Sequence, residues 1–390
     1  MAERKKIALC LEYPLALRGG VSVLVETLLL GLKEHYELIL VSPDTPESLA
    51  TSKVGPFISK HFSWDRGNVT TAAAKKLASE LSSARVDLAH FHMGGNFGWG
   101  NRFPSRCPIP YLDKAGIPTC STVHSVVHAL DGFCGPQKPL WFKLAIFPFA
   151  WISKMRILSH LRCEIAVSQH DAAKLQRWYR PLRGKFVQMY HSRLKAESRS
   201  QPAPTRDSVI LNVGHLAWRK GQGGLAEAFA LVAPRHPAWK LLLVGQSLEQ
   251  AALDGIRSTA KAHGLEDRIQ LLGERPDAMD LMNHSGIYVQ PSNQEALGLA
   301  LQEAMFLGCP SIGTRVGGIP ELIQHERNGL LVEPGNPARM AEALETLMSN
   351  PQLRERYGRA AADSIVQRGM TAEQMVANHF QLYESIFKGS

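Results

Sequence analysis

Several features are missing from this 390-residue sequence, and each absence removes a class of protein. No apolar run is long enough to cross a bilayer. The stretch LAIFPFAWIS near the middle stops at ten residues, against the ~20 that a membrane-spanning helix needs. The opening, MAERKKIAL, lacks a leader pattern and passes from a basic start directly into a strand-like run, so a cytoplasmic location is expected. The six cysteines (Cys10, Cys107, Cys120, Cys134, Cys163 and Cys309) contain no C-x-x-C and no zinc-like spacing. They are expected to be reduced thiols, mostly in the core. There is no Walker loop, no G-x-G-x-x-G, no short internal repeat and no recognised nucleic-acid motif.

What remains is globular in composition, with 45% apolar and 20% charged residues. The length suggests two domains. The net charge of +9 is uneven: residues 1–200 carry 27 Lys+Arg against 15 Asp+Glu, and residues 201–390 carry 17 against 20. The first half therefore presents a field that suits an anionic partner.

Strand-like and helix-like runs alternate twice. KKIALCL, ELILVSP, VDLAHFHMGG, IPTCSTVHS and CEIAVS read as strands of the first half, with a helix after RGGV and another that Ser168 is placed to cap. KAESRSQPAPTRDS has no periodicity and reads as a linker. SVILNVG, WKLLLVG, RIQLLG, GIYVQPS, CPSIGT and GLLVEPG restart the alternation, and three helices close the chain. Buried β-branched runs separated by helices imply parallel sheets, whose ligands bind at the carboxyl ends of the strands. The expected organisation is a first domain over 1–197, a linker over 198–207, a second domain over 208–370 and a terminal helix over 371–390.

Two stretches of the second half fall at such strand ends. NVGHLAWRKGQGG (212–224) runs from strand through Gly214, His215, Arg219 and Lys220 into a helix. Two cations beside free helix N–H groups make a diphosphate site in physical terms; a solvated turn with surface charges is the plain alternative. SNQEALGLALQEAM (292–305) places Glu295 before a helix and Glu303 inside it. Helix capping would explain one of these acids. Alternatively, two carboxylates about 12 Å apart or less can accept hydrogen bonds from hydroxyls at opposite ends of one ligand.

E-x7-E, preceded by VQPS and followed by EAMFLGCPSIGTRVGGIPELIQHERNGLLVEPGN, resembles the retaining glycosyltransferases of family 4, and VGHLAWRKG resembles their phosphate-binding loop. The resemblance implies an α/β protein of the GT-B fold, with two Rossmann-like parallel-sheet domains facing each other across a cleft. It implies Glu303 on the nucleotide ribose, Glu295 by the donor sugar and Lys220 on the diphosphate. The strand-end stretches would supply Gly214, His215, Ala296, Leu297, Gly298 and Leu299 to the donor site as well. Two positions depart from the family: His215 and Ala296 stand where arginine and glycine are usual, which leaves Arg219 to replace the missing arginine. In the first half, RGGV resembles the family's first loop, with the Gly19 and Gly20 N–H groups facing donor phosphates or acceptor. STVHS resembles a family segment whose histidine, here His124, lies at the reaction centre; a structural histidine at a strand end is the plain alternative. His90 and His92 are candidates to shape the acceptor pocket, with core packing as the alternative for at least one, and the resemblance implies an asparagine-glycine turn near MYHSRL where this chain has His191.

The expected reaction moves a sugar from a UDP-, GDP- or ADP-sugar to a glycan, lipid-linked or small-molecule acceptor with retained configuration. The expected catalytic set is His124, Glu295, Lys220 and Arg219. The sequence has no D-x-D cluster for a divalent ion, so the two cations are expected to neutralise the leaving diphosphate without metal or cofactor. Segment 138–162 is basic and aromatic and reads either as a surface lying on an acidic bilayer or as a buried helix pair kinked at Pro148. Nucleic acid is not an expected partner. The rival functions are a nucleotide-sugar-binding protein without chemistry and a sugar-nucleotide epimerase on the same fold. In relatives the last helix crosses back to the first domain.

Overall fold

The computed structural model describes residues 4–15, 19–100, 102–126, 138–195 and 206–389. Cys134 and most of the expected linker lie outside them. The chain divides into two compact units, Met1–Arg193 with Ala372–Ser390, and Leu194–Thr371.

The first unit is a seven-stranded sheet of β1 (Lys6–Leu11), β2 (Glu37–Ser42), β3 (Ile58–Ser63), β4 (Leu88–Met93), β5 (Thr119–Val123), β6 (Cys163–Ala166) and β7 (Phe186–Gln188). The spatial order is β3-β2-β1-β4-β5-β6-β7 and every pairing is parallel. The order reverses between β1 and β4. Their burial is nearly continuous along both faces, because helices cover the sheet on each side. The second unit repeats the scheme with β8 (Asp207–Val213), β9 (Lys240–Val244), β10 (Ile269–Gly273), β11 (Ser285–Gln290), β12 (Ser311–Thr314) and β13 (Leu330–Val332). Its order is β10-β9-β8-β11-β12-β13, all parallel, reversing between β8 and β11.

Six helices matter for function: α1 (Gly20–Leu32), α2 (Leu140–His160), α3 (Gln169–Trp178), α4 (Gln222–Val232), α5 (Leu299–Phe306) and α6 (Ala372–Lys388). Ser168 caps α3, its hydroxyl accepting the Asp171 N–H at 3.1 Å. The last helix, α6, belongs to the first unit. Tyr36 donates to Glu384 at 2.9 Å, and Tyr383 hydrogen-bonds His90 at 2.6 Å.

Segment 138–162 is neither a buried helix nor a helix pair. It is one helix, α2, that runs through Pro148. Its C-terminal half is anchored where Lys154, fully buried, donates to Glu164 on β6 at 2.6 Å. Its N-terminal half leaves Leu140, Trp141, Leu144 and Phe149 largely in solvent, and Ile152, just beyond the midpoint, is exposed as well. A helix that is apolar on all faces is normally enclosed; only half of this one is. The five described cysteines are free thiols and all buried.

Candidate active site

In the second unit the chain leaves β8 through Gly214 and His215 and makes a single turn over Trp218–Lys220 before α4. Gly221 closes that turn with φ 72°, and a Cβ there would fall 1.9 Å from the Pro291 carbonyl oxygen, so glycine alone fits. The turn is clasped to the loop after β11: the Asn293 and Gln294 N–H groups donate to the Arg219 carbonyl at 2.9 and 3.0 Å. The Asn293 side chain donates to the Trp218 carbonyl at 2.8 Å. Two loops from neighbouring strands are thus locked together at the point where the strand order reverses.

That lock brings Lys220 to Glu295, 75 residues away, with Nζ donating to Oε2 at 2.6 Å. Gln290 and Ser292 donate to the same oxygen at 3.1 Å each, and Tyr288 donates to Gln290 at 2.9 Å. Burial pushes the Glu295 carboxyl up, but Lys220, the Ser292 hydroxyl and Arg219 outweigh it and hold it below the ordinary carboxylate value. It is an anion at neutral pH. Glu295 caps no helix: Gly298, left-handed at φ 97°, occupies the cap position of α5 without a side-chain bond. Glu303 lies in the second turn of α5 and is buried; Leu297 is buried beside it, while Ala296 and Leu299 are half-exposed. Burial raises the Tyr288 hydroxyl well above its ordinary value, and the charges of Glu303 and Glu295 add to the shift.

The remaining residues divide by charge and exposure. The Arg219 side chain is exposed. His215 is half-buried; burial, then Arg219 and Lys220, lower its pKa, so it meets a ligand as a neutral imidazole. In place of the arginine that the family resemblance leads one to expect, the position offers a hydrogen bond without a charge.

In the first unit, His124 follows β5, its N–H donating to the Met93 carbonyl at 2.9 Å. Four further histidines surround it. His92 Nδ1 is 3.2 Å from His124 Nε2, and the two rings stack at 5.4 Å. His90 lies 4.2 Å from His92 between ring centroids and is bonded to Thr122 at 2.8 Å. His191 packs on His124 at 5.3 Å and on His379 of α6 at 5.4 Å. Burial pushes His124 down to about 3, with His379 adding to the shift. Burial likewise takes His379 to about 4 and His90, His92 and His191 well below the usual imidazole range. All five are neutral at pH 7. His379 donates Nδ1–H to the Met375 carbonyl at 2.8 Å, which leaves a buried, unpartnered lone pair on Nε2. Both ring nitrogens of His191 are also unpartnered. Of the ring pairs, His92–His124 and His90–His379 stack while the others are tilted or edge-on, and no group of three among the described residues is arranged to hold a metal ion. Gly19, extended, caps α1, and Gly20 begins it.

The structure therefore joins Lys220 to Glu295 and His124 to His92, and keeps Glu303 and Arg219 in the second unit with the first pair. Sequence reasoning did not single out Gln290, Ser292 or Asn293, although VQPS carries the first two. It also missed His379, for which a lone histidine on an amphipathic helix gave no signal.

Residues 18–196 match the family model described as Glycosyltransferase Family 4, and residues 195–364 match Glycosyl transferases group 1. The chain belongs to these glycosyltransferases. Among curated relatives of this family member is the N-acetyl-alpha-D-glucosaminyl L-malate synthase of Bacillus anthracis, 31% identical over 182 residues, which are 47% of this chain and 46% of that protein. Another is the D-inositol 3-phosphate glycosyltransferase of Corynebacterium glutamicum (strain R), 34% identical over 165 residues, 41% of this chain and 40% of that one. The chain thus spans less than half the length of these relatives. Among solved structures, Anabaena Alr3699/HepE in complex with UDP superposes with a TM-score of 0.76 at 18% identity, covering 98% of this chain and 100% of that one. The fold is GT-B.

Proposed function

We propose that the protein is a retaining, metal-independent glycosyltransferase that moves a sugar from a nucleoside-diphosphate sugar to a glycan, lipid-linked or small-molecule acceptor. The observation that carries this reading is the Lys220–Glu295 pair, 2.6 Å across, at the carboxyl ends of β8 and β11. Glu303 accepts from the ribose hydroxyls, and Glu295 accepts from the transferred sugar. The bond from the anomeric carbon to the diphosphate breaks first, while Lys220 and Arg219 stabilise the leaving oxygens. The acceptor oxygen then bonds the anomeric carbon from the same face, and its proton passes to the leaving diphosphate. Retention without a covalent intermediate is supported by the hydrogen bonding of Glu295, whose Oε2 already accepts from three donors. A carboxylate so engaged is a poor nucleophile.

The same reading puts the enzyme on the cytoplasmic face of an anionic bilayer, docked through α2. Trp141 and Phe149 are each 71% exposed, and the segment 138–162 contains no Asp or Glu. Exposed aromatics next to Lys138 and Arg156 suit a headgroup layer. Among the described residues no helix is long and apolar enough to cross it. Co-sedimentation with vesicles of anionic lipid at low salt tests the docking, and retention in the supernatant sinks it.

A panel of nucleotide-sugars scored for release of nucleoside diphosphate tests the chemistry, with the anomeric configuration of the product read by NMR. Inversion sinks the retaining mechanism. Donor binding without nucleotide release marks a binding protein, and epimerised donor without acceptor transfer marks an epimerase.

A further inference from the structure

The strand order of the first unit reverses between β1 and β4, and a cavity of about 390 Å³ opens at the carboxyl ends of those two strands. Glu12 and Tyr13 line it from the end of β1; Asn96, Arg102 and Arg106 line it from the segment after β4; Arg66 completes it. Reversal points of this kind are where open parallel sheets bind ligands, and the volume suits a small molecule. Nothing in the donor chemistry above uses these residues.

We propose that this cavity holds the acceptor through an anionic group, a phosphate or carboxylate carried on a hydroxylated molecule. The proposal rests on the sugar-transfer reading. Three arginines and one buried carboxylate line the same cavity. Arginine's planar fork matches phosphate and carboxylate oxygens two at a time. Two of the forks are already oriented by stacking, Arg66 at 4.6 Å over the Tyr13 ring and Arg106 at 4.9 Å over Phe103.

Glu12 supplies the other half of the recognition. It is buried, and its Oε1 accepts the Trp99 N–H at 2.5 Å. A Cβ on Gly98 would fall 2.6 Å from Oε2, so only glycine leaves that oxygen its place. Besides holding the Trp99 N–H, a carboxylate in this wall can accept from a ligand hydroxyl. The wall is held in a costly conformation. Trp99, fully buried, has φ 53°, a region that non-glycine residues rarely adopt, and its indole N–H is tied to the His92 carbonyl at 3.1 Å. Backbone strain of that kind persists where surrounding contacts fix it, typically at ligand clamps. The cavity also adjoins the reaction-centre candidate: a Cβ on Gly95 would lie 3.9 Å from the carbonyl oxygen of Ser125, the residue after His124. An acceptor held by its anion at the arginines and by a hydroxyl at Glu12 presents its remaining hydroxyls beside His124.

The test titrates inorganic phosphate into the full chain, in a Lys220→Ala background that weakens the competing diphosphate site. Thermal shift and the fluorescence of buried Trp99 give the readout. Saturable binding is expected, weakened about tenfold or more by combined Arg66→Ala, Arg102→Ala and Arg106→Ala, and only partly restored by lysine at the three positions. The arginines are exposed, so the variants are expected to fold. Vesicles of phosphatidylcholine with and without phosphatidic acid separate the sources. Binding to phosphatidic acid that inorganic phosphate competes away assigns a lipid phosphate, and phosphate binding without vesicle binding assigns a soluble acceptor. Failure of phosphate and phosphatidic acid alike to bind, or equal binding by the triple alanine variant, overturns the proposal. A UDP thermal shift on protein with Lys220 intact reports the donor site separately, so its loss would count against the transfer reading and leave the cavity result standing.

Discussion

The two units share one topology but use its reversal point differently. In the second, the loops after β8 and β11 carry Lys220 and Glu295 into direct contact, so the site presents a paired cation and anion. In the first, the residues after β1 and β4 leave a cavity also lined by Arg66, Arg102 and Arg106. The same contrast appears in two Lys–Glu pairs of equal length. Lys154–Glu164 and Lys220–Glu295 both measure 2.6 Å, but the first has side chains 0% exposed and the second 15% and 10%. The enclosed pair lies in the core, and the partly exposed pair is the one to which the proposed function assigns the chemistry. Position along the strand decides which, since Glu164 lies within β6 and Glu295 lies beyond the end of β11.

Substitutions can break that contrast. The largest effect on stability is expected from Lys154→Met, which strands the Glu164 carboxylate in the core. Urea unfolding should show a loss of about 3–5 kcal/mol, and an unchanged midpoint would show that the pair is not structural. Lys220→Ala should do the reverse, slowing transfer about 10²- to 10³-fold in nucleotide-release assays while the urea midpoint moves far less. Equal losses of stability in the two variants would erase the distinction.

Acid should separate the units next. Burial lowers the pKa of His90, His92, His124, His191 and His379, so the folded chain keeps them neutral while the unfolded chain protonates them near 6.5. The unfolded state then binds more protons, and stability falls as pH drops below 6.5, continuing towards the His124 value of about 3. Urea midpoints measured from pH 7 down to 5 should fall for the first unit, and His379→Leu should reduce the slope by about one proton. A flat profile would mean that the cluster is not held neutral. The smallest effect sharpens the donor site alone: Glu303→Ala should weaken UDP binding about tenfold by calorimetry without altering the acid response.

Much of the fold was legible because parallel strands enclosed on both faces read as near-continuous apolar runs, as KIALCL and ELILVS do. The candidate donor-site residues were legible because they cluster in two short stretches at strand ends. Segment 138–162 was ambiguous for a physical reason. Its composition is apolar on all faces, and whether such a helix is buried depends on its neighbours, which here cover only one end. The histidine cluster was illegible as a cluster, since its members come from β4, from the segments after β5 and β7, and from α6.

The sequence by itself determined the alternation of elements, the charge asymmetry and the residue types proposed to meet a diphosphate and two sets of hydroxyls. These follow from local periodicity and from chemistry carried on adjacent residues. Only the tertiary structure decided that Lys220 and Glu295 form one pair, that five imidazoles share one buried space, and that Glu12 and three arginines line one cavity. Each of those facts joins residues far apart in the chain, and the strand order that brings them together is set by packing across the whole sheet.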